Sequence, residues 1–428
     1  VRLHAGDRVR QVVTIEVEPA ANPVELPEVG LVSAAIGAPE GATMPPIGLG
    51  TASHGKPLLP ADLERLGALN IGHLRLPLDV SADGWREKLA LAGTEAEELG
   101  APLDVELQTG PGGEGAEAFF GAVAEAGIPL ARVVAFPAGK LVTTGPVIAA
   151  VAAARDAAES DAVVGGGSRT FFTELNRAAG ELPLDAMEFA AFPMNPQVHA
   201  IDNASVVETL AAQAATVDSA RAIVGARPIS AGPVTLKMPF NPNATGPAPE
   251  LPPGMLPANV DERQPSLFAA AWTAGSIGRL AGAGVDALTY YQTNGWRGVM
   301  ERTDHPLRVP GFHSWPGMVF PVYHVLADAM EFSGGDILPL LSSDELALDG
   351  FAVRSGGRTR VVLANLTNAD LTVAAELPEG EAVRSRVLDE ANFLRAASEP
   401  EAFRAGWAAG VDAPIRLSPY AVVTIDIM

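Results

Sequence analysis

Between residues 46 and 290, short apolar runs alternate with longer amphipathic or alanine-rich segments, and this alternation limits the possible folds more than any other feature. The runs fall at 47–52, 73–78, 103–108, 132–136, 162–165, 187–192, 228–237 and 285–290. Helical patterns occupy 60–68, 114–126, 145–158, 205–223 and 265–283 between them. Strands of about five residues separated by helices call for parallel pairing through right-handed crossovers. Eight such units predict an α/β fold of the (β/α)8 TIM-barrel type in preference to an open doubly wound sheet.

After residue 335 the pattern changes. Runs such as 351–354, 359–365 and 421–425 are separated by Gly, Asn, Asp and Pro turns with little helix, which predicts a small antiparallel β-sandwich over 336–428. The barrel then spans 46–335. Residues 1–45 read as an N-terminal strand at 10–16, which either completes the sandwich or ends another domain, followed by an acidic Pro/Gly connector over 18–45.

Composition narrows the partners. The chain carries 29 basic and 51 acidic residues, a formal net charge of −22. No basic cluster offers a surface for nucleic acid or an anionic membrane. A few local Arg or Lys side chains can still reverse the field inside one pocket. The absence of cysteine removes disulfides, thiolate nucleophiles and Cys-based metal sites. No apolar run reaches the length of a membrane span and no leader pattern opens the chain, so the reading is cytoplasmic.

A barrel puts its chemistry at the C-terminal ends of its strands. The first strand leads to His54. The second carries Arg75, either a structural guanidinium paired with a carboxylate or an anchor for a substrate oxygen. After the fifth come Gly165-Gly166-Gly167 and Phe171-Phe172-Thr173-Glu174-Leu175-Asn176. Glu174 beside two Phe suits proton transfer if half-buried; the alternative is a salt bridge to Arg169 or Arg177. The sixth strand leads to Asn195 and His199, with Asp202 or Asn203 as N-cap of the following helix. Lys237 ends the seventh, before a Pro/Asn loop that includes Asn241. The eighth runs into Tyr290-Tyr291-Gln292-Thr293-Asn294-Gly295-Trp296-Arg297-Gly298, where Trp296 can stack on a sugar ring and Arg297 can receive oxygen atoms.

Glycoside hydrolysis needs two carboxylates. Glu174 supplies one and Asp79 or Asp202 a possible second, but Gln292 cannot ionise. A lactone needs only a base and oxyanion donors. Glu174, His199 and Lys237 are the expected catalytic residues. Expected around the substrate are His54, Arg75, Asn176, Asn195 and Asn241, with Tyr291, Gln292, Trp296 and Arg297 from the eighth strand. No Gly-x-Ser-x-Gly elbow and no His-Glu-x-x-His spacing is present, so neither a serine triad nor a metal is expected, and no cofactor. A carbohydrate-binding protein without catalysis is the third reading.

The segments 172–177, 195–200, Lys237 with 240–246, and 289–298 together resemble the D-apionate lactonase family, over residues 46–428. The resemblance implies a TIM barrel followed by a small β domain. It also implies hydrolysis of the lactone of the branched sugar acid apionate, in apiose catabolism, with a small sugar-acid lactone as partner. The glycoside hydrolase is the alternative.

Overall fold

The computed structural model describes residues 31–244, 254–304, 309–380 and 382–428, with residues 8, 10, 12, 14 and 252. The strand expected over 10–16 lies largely outside the described residues, as do Thr245 and Gly246. Within the expected connector, Leu31–Ile36 forms strand β1, because Val32 and Ala34 alternate inward with period two.

Eight parallel strands then close a barrel: β2 (Ile47–Gly50), β3 (Leu74–Asp79), β4 (Leu103–Thr109), β5 (Leu130–Pro137), β6 (Val163–Gly167), β7 (Ala190–Met194), β8 (Ile229–Val234) and β9 (Ala287–Gln292). β2 pairs with both β3 and β9, which completes the ring. The intervening helices are α1 (Pro60–Gly67), α2 (Trp85–Leu99), α3 (Ala116–Ala126), α4 (Gly145–Ala157), α5 (Phe172–Arg177), α6 (Asn203–Val224) and α7 (Leu267–Gly282), and α8 (Pro321–Met330) follows β9. Asp202 caps α6, its carboxylate accepting from the Ser205 N–H at 3.0 Å. None of the described helices is long and apolar enough to cross a membrane.

The C-terminal strands form two sheets. One joins β1 to β11 (Leu340–Ser342), β14 (Leu371–Glu376) and β17 (Ile415–Leu417). The other contains β10 (Asp336–Leu338), β12 (Leu348–Ser355), β13 (Arg358–Asn365), β18 (Val422–Ile427), β15 (Val383–Leu388) and β16 (Ala408–Ala409). β13 is buried on both faces, so it reads as an unbroken apolar run. Val361 and Leu363 enter the core between the sheets, whereas Val362 and Ala364 join the core around the barrel helices. Little helix was expected here, yet α9 (Phe393–Ser398) and α10 (Pro400–Ala405) intervene, burying Ala396, Ala397 and Phe403 against the barrel side.

Candidate active site

The eighth barrel strand makes the mouth through an irregularity. Leu49 stands opposite Tyr290 but Gly50 opposite Gln292, so Tyr291 is an extra residue in the register. Its φ of 44° is in the left-handed region, uncommon for a bulky side chain. Tyr290 and Tyr291 both turn outward to α7, their hydroxyls bonded to Ser276 at 2.8 Å and Thr273 at 2.7 Å. Strict period two would send Gln292 the same way as Tyr290. The bulge reverses that parity and re-aims Gln292 into the barrel. Gly50 makes room, since a Cβ there would meet the Tyr291 carbonyl oxygen at 2.8 Å. The chain then folds back, with the Gln292 N–H donating to the Arg297 carbonyl at 3.0 Å, and Gly295 takes the tight turn at φ 84°.

Below the mouth the lumen is ionic. Arg75 donates to Asp104 at 3.4 Å and to Glu106 at 3.3 Å; Arg132 reaches Asp104 at 3.1 Å and Arg169 reaches Glu106 at 2.8 Å. Burial alone would raise the Asp104 carboxyl, but Arg75 and Arg132 hold it below the usual range. Glu106 is the upper carboxylate, near the opening.

Two adjoining cavities lie above it. The inner one, about 280 Å³, contains Glu106, Arg75, Arg169, Lys88, Gln292 and Arg297. Glu106 is its single carboxylate among the described residues, against four cations. Burial lowers the Lys88 ammonium, opposed by Glu106 and Asp79, while its Nζ donates to the Pro77 carbonyl at 2.5 Å. The outer cavity, about 320 Å³, shares Ser53, Gln292 and Arg297 and adds His54, Trp296 and Glu301. Arg297 has no side-chain partner among the described residues, and burial pulls its guanidinium down to about 10. Gln292 Oε1 accepts the Ser53 N–H at 3.2 Å, which leaves its NH₂ facing the cleft as a donor.

His54 is fixed at both ring nitrogens. Nδ1 accepts from the Lys56 N–H at 3.1 Å, so Nε2 carries the proton and donates to Asn294 Oδ1 at 2.8 Å. Asn294 donates in turn to Asp62 at 3.0 Å. Burial lowers the His54 pKa, outweighing the Asn294 bond. A neutral ring with both nitrogens engaged is a wall of the site and a poor base.

Of the residues expected from sequence, the cleft brings together His54, Arg75, Gln292, Trp296 and Arg297. It does not include the other seven. Glu174 lies on α5, whose buried face carries Leu175 and whose Phe172 packs on Phe192 with ring centroids 5.5 Å apart. The opposite face pairs Glu174 with Arg177 at 2.6 Å, the alternative noted above. Asn176 and Asn241 are exposed, Asn241 accepting from the Asn243 N–H at 3.0 Å. Asn195 and His199 line a separate cavity of about 410 Å³ beside Phe171 and Phe172. Lys237 donates to the Val260 carbonyl at 3.0 Å. Tyr291 is excluded by its bulge. Arg75 is the paired guanidinium its first reading described, and also floors the inner cavity.

Glu106, Arg169, Lys88 and Glu301 were not singled out as site residues. A signal existed for Glu106: Asp104, Glu106 and Gln108 alternate along a strand buried on both sides, so these groups must face the lumen. No group of three or more His, Cys, Asp or Glu among the described residues could hold a metal ion.

Fold and site define a TIM-barrel protein with an appended β-sandwich, built like the barrel glycoside hydrolases. A family 51 alpha-L-arabinofuranosidase from Bifidobacterium longum superposes with a TM-score of 0.62 at 15% identity, over 92% of this chain and 99% of that one. A GH30 endoxylanase from Clostridium papyrosolvens gives 0.55 at 11% identity, over 92% and 99%. At such identities the likeness is one of fold. The chain belongs to the D-apionate lactonase family: residues 47–334 match its TIM barrel domain and 345–425 its C-terminal immunoglobulin-like domain. A D-apionate lactonase from Brucella anthropi is 31% identical over 240 residues, 56% of this chain. That match spans 37% of the relative's length.

Proposed function

We propose that this chain hydrolyses the lactone of a small sugar acid, D-apionolactone being the substrate to which the family's name points. One observation carries the reading: the inner cavity sets four cations around a single carboxylate in a protein of net charge −22. Such a site favours the oxyanion and the carboxylate that lactone opening generates.

In this reading Glu106, held by Arg75 and Arg169, accepts a proton from water as the water oxygen adds to the lactone carbonyl carbon. Each carboxylate oxygen keeps a further acceptor position beside its Arg bond. Arg297 and the Gln292 NH₂ donate to the oxyanion. Collapse re-forms the carbonyl and breaks the acyl C–O bond, and the departing ring oxygen takes the proton from Glu106. One lactone and one water give one hydroxy acid, which ionises near neutrality and releases a proton.

A glycosidase would pair Glu106 with Glu301 in the outer cavity. Two substrate panels separate the readings: aldonolactones followed by proton release and aryl glycosides followed by chromophore release. Turnover of lactones alone is expected. Turnover of glycosides alone overturns the proposal.

A further inference from the structure

We propose that the outer cavity is a second subsite for a neutral sugar ring or polyol, so that the preferred substrate is an aldonolactone carrying such a group on one hydroxyl. The inference rests on the lactonase reading above and goes on to the class of substrate. The inner cavity, at about 280 Å³, is near the lower limit of small-molecule sites, roughly 300 Å³. A single lactone ring matches it. The outer cavity of about 320 Å³ has Ser53, Gln292 and Arg297 in common with it, so a group attached to the bound lactone extends into a chamber of similar size.

The two chambers differ in chemistry. Cations dominate the inner one, and Arg297 there has no side-chain partner among the described residues. The outer one shares Arg297, and the buried ionic groups peculiar to it are engaged with partners. Arg302 donates to Asp304 at 2.5–2.8 Å. Glu301 accepts the Ser314 hydroxyl at 2.7 Å and the Arg302 N–H at 2.9 Å. Lys56 stands exposed at the rim. Trp296, Pro257 and Val260 give apolar wall, while His54 and Asn294, bonded to each other, hold a fixed polar edge. An aromatic side chain and fixed neutral polar groups lining one chamber suit a neutral ring with an apolar face and hydroxyls at its perimeter.

The test pairs aldono-1,4- and aldono-1,5-lactones with the same lactones bearing an O-linked neutral sugar, D-glucono-1,5-lactone with cellobiono-1,5-lactone among them. Initial rates are read by proton release from the intact chain. For at least one pair, kcat/KM is expected to be tenfold or more higher for the substituted lactone, and Trp296→Ala should bring that ratio close to one. If every lactone that is opened is opened as well without its substituent, the second subsite is overturned while the lactonase reading stands. A ratio unchanged by Trp296→Ala overturns it too, because the substituent then binds elsewhere. Failure to open any lactone overturns the lactonase reading and this inference together.

Discussion

Gln292 and Arg297 face the cleft as donors, and the account depends on their neutrality and charge. Arg297→Ala should lower kcat/KM on a lactone by about 100-fold, the scale of a lost oxyanion donor; steady-state kinetics checks it. Gln292→Glu is more discriminating. If Gln292 stood in for a lost nucleophile, the carboxylate would bring aryl-glycosidase activity. A donor role predicts the opposite: at least a tenfold fall on lactones, because an anion now faces the oxyanion, and no chromophore release from aryl glycosides. At this scale the sequence was legible where residues follow the eighth strand, for Gln292, Trp296 and Arg297 do line the cleft. Glu174 lies outside that cleft, because a helix of six residues directs Phe172 and Leu175 inward and leaves Glu174 to Arg177. The sequence was silent on Arg169 as a cleft residue, since only the closed barrel brings the end of β6 to Glu106 on β4.

Among the elements, the eight barrel strands were readable as apolar runs because both faces of each are covered. The bulge at Tyr291 was not, since no local composition announces a register shift against β2. Gly50→Ala presses a Cβ against the Tyr291 carbonyl and should displace Gln292, lowering kcat about tenfold with the fold retained; paired activity and circular dichroism measurements would show both. The loop from His54 to α1 is tied by Glu95 of α2, whose carboxylate accepts the Leu58 N–H at 3.2 Å. Burial raises this carboxyl to about 7, the Leu58 bond opposing. The folded state therefore holds its proton where the unfolded chain releases it, and stability falls as pH rises from about 4.5 to 7. Glu95→Gln should remove that slope, raising stability at pH 8 by up to roughly 3 kcal/mol and changing little at pH 4. Thermal unfolding at the two pH values checks the sign; an equal gain at both would contradict it.

Across the whole molecule, the barrel and sandwich are joined by a buried charge hub that patterning could not reveal, because its members are far apart in sequence. Asp328 on α8 accepts from Arg386 at 2.7 and 2.9 Å, Arg404 at 2.9 Å and Thr424 at 2.6 Å, with Arg360 at 3.6 Å. Burial would raise this carboxyl, yet Arg386, Arg404 and Arg360 hold it far below the usual range. Asp328→Ala takes from Arg386 its carboxylate partner among the described residues, while Arg360 keeps Asp426 and Glu331 and Arg404 keeps Glu331 at 3.9 Å; it should cost about 3–5 kcal/mol in chemical denaturation. A loss below about 1 kcal/mol would mean the hub contributes little to the joint. The central claim is that Glu106 in the inner cavity activates water. The direct measurement is kcat for Glu106→Gln and Glu174→Gln side by side, by proton release on one lactone that the unaltered chain opens, at a temperature where both variants are folded. The account predicts a fall of about 100-fold or more for Glu106→Gln and an unchanged rate for Glu174→Gln. A full rate in Glu106→Gln, or a loss confined to Glu174→Gln, would contradict it.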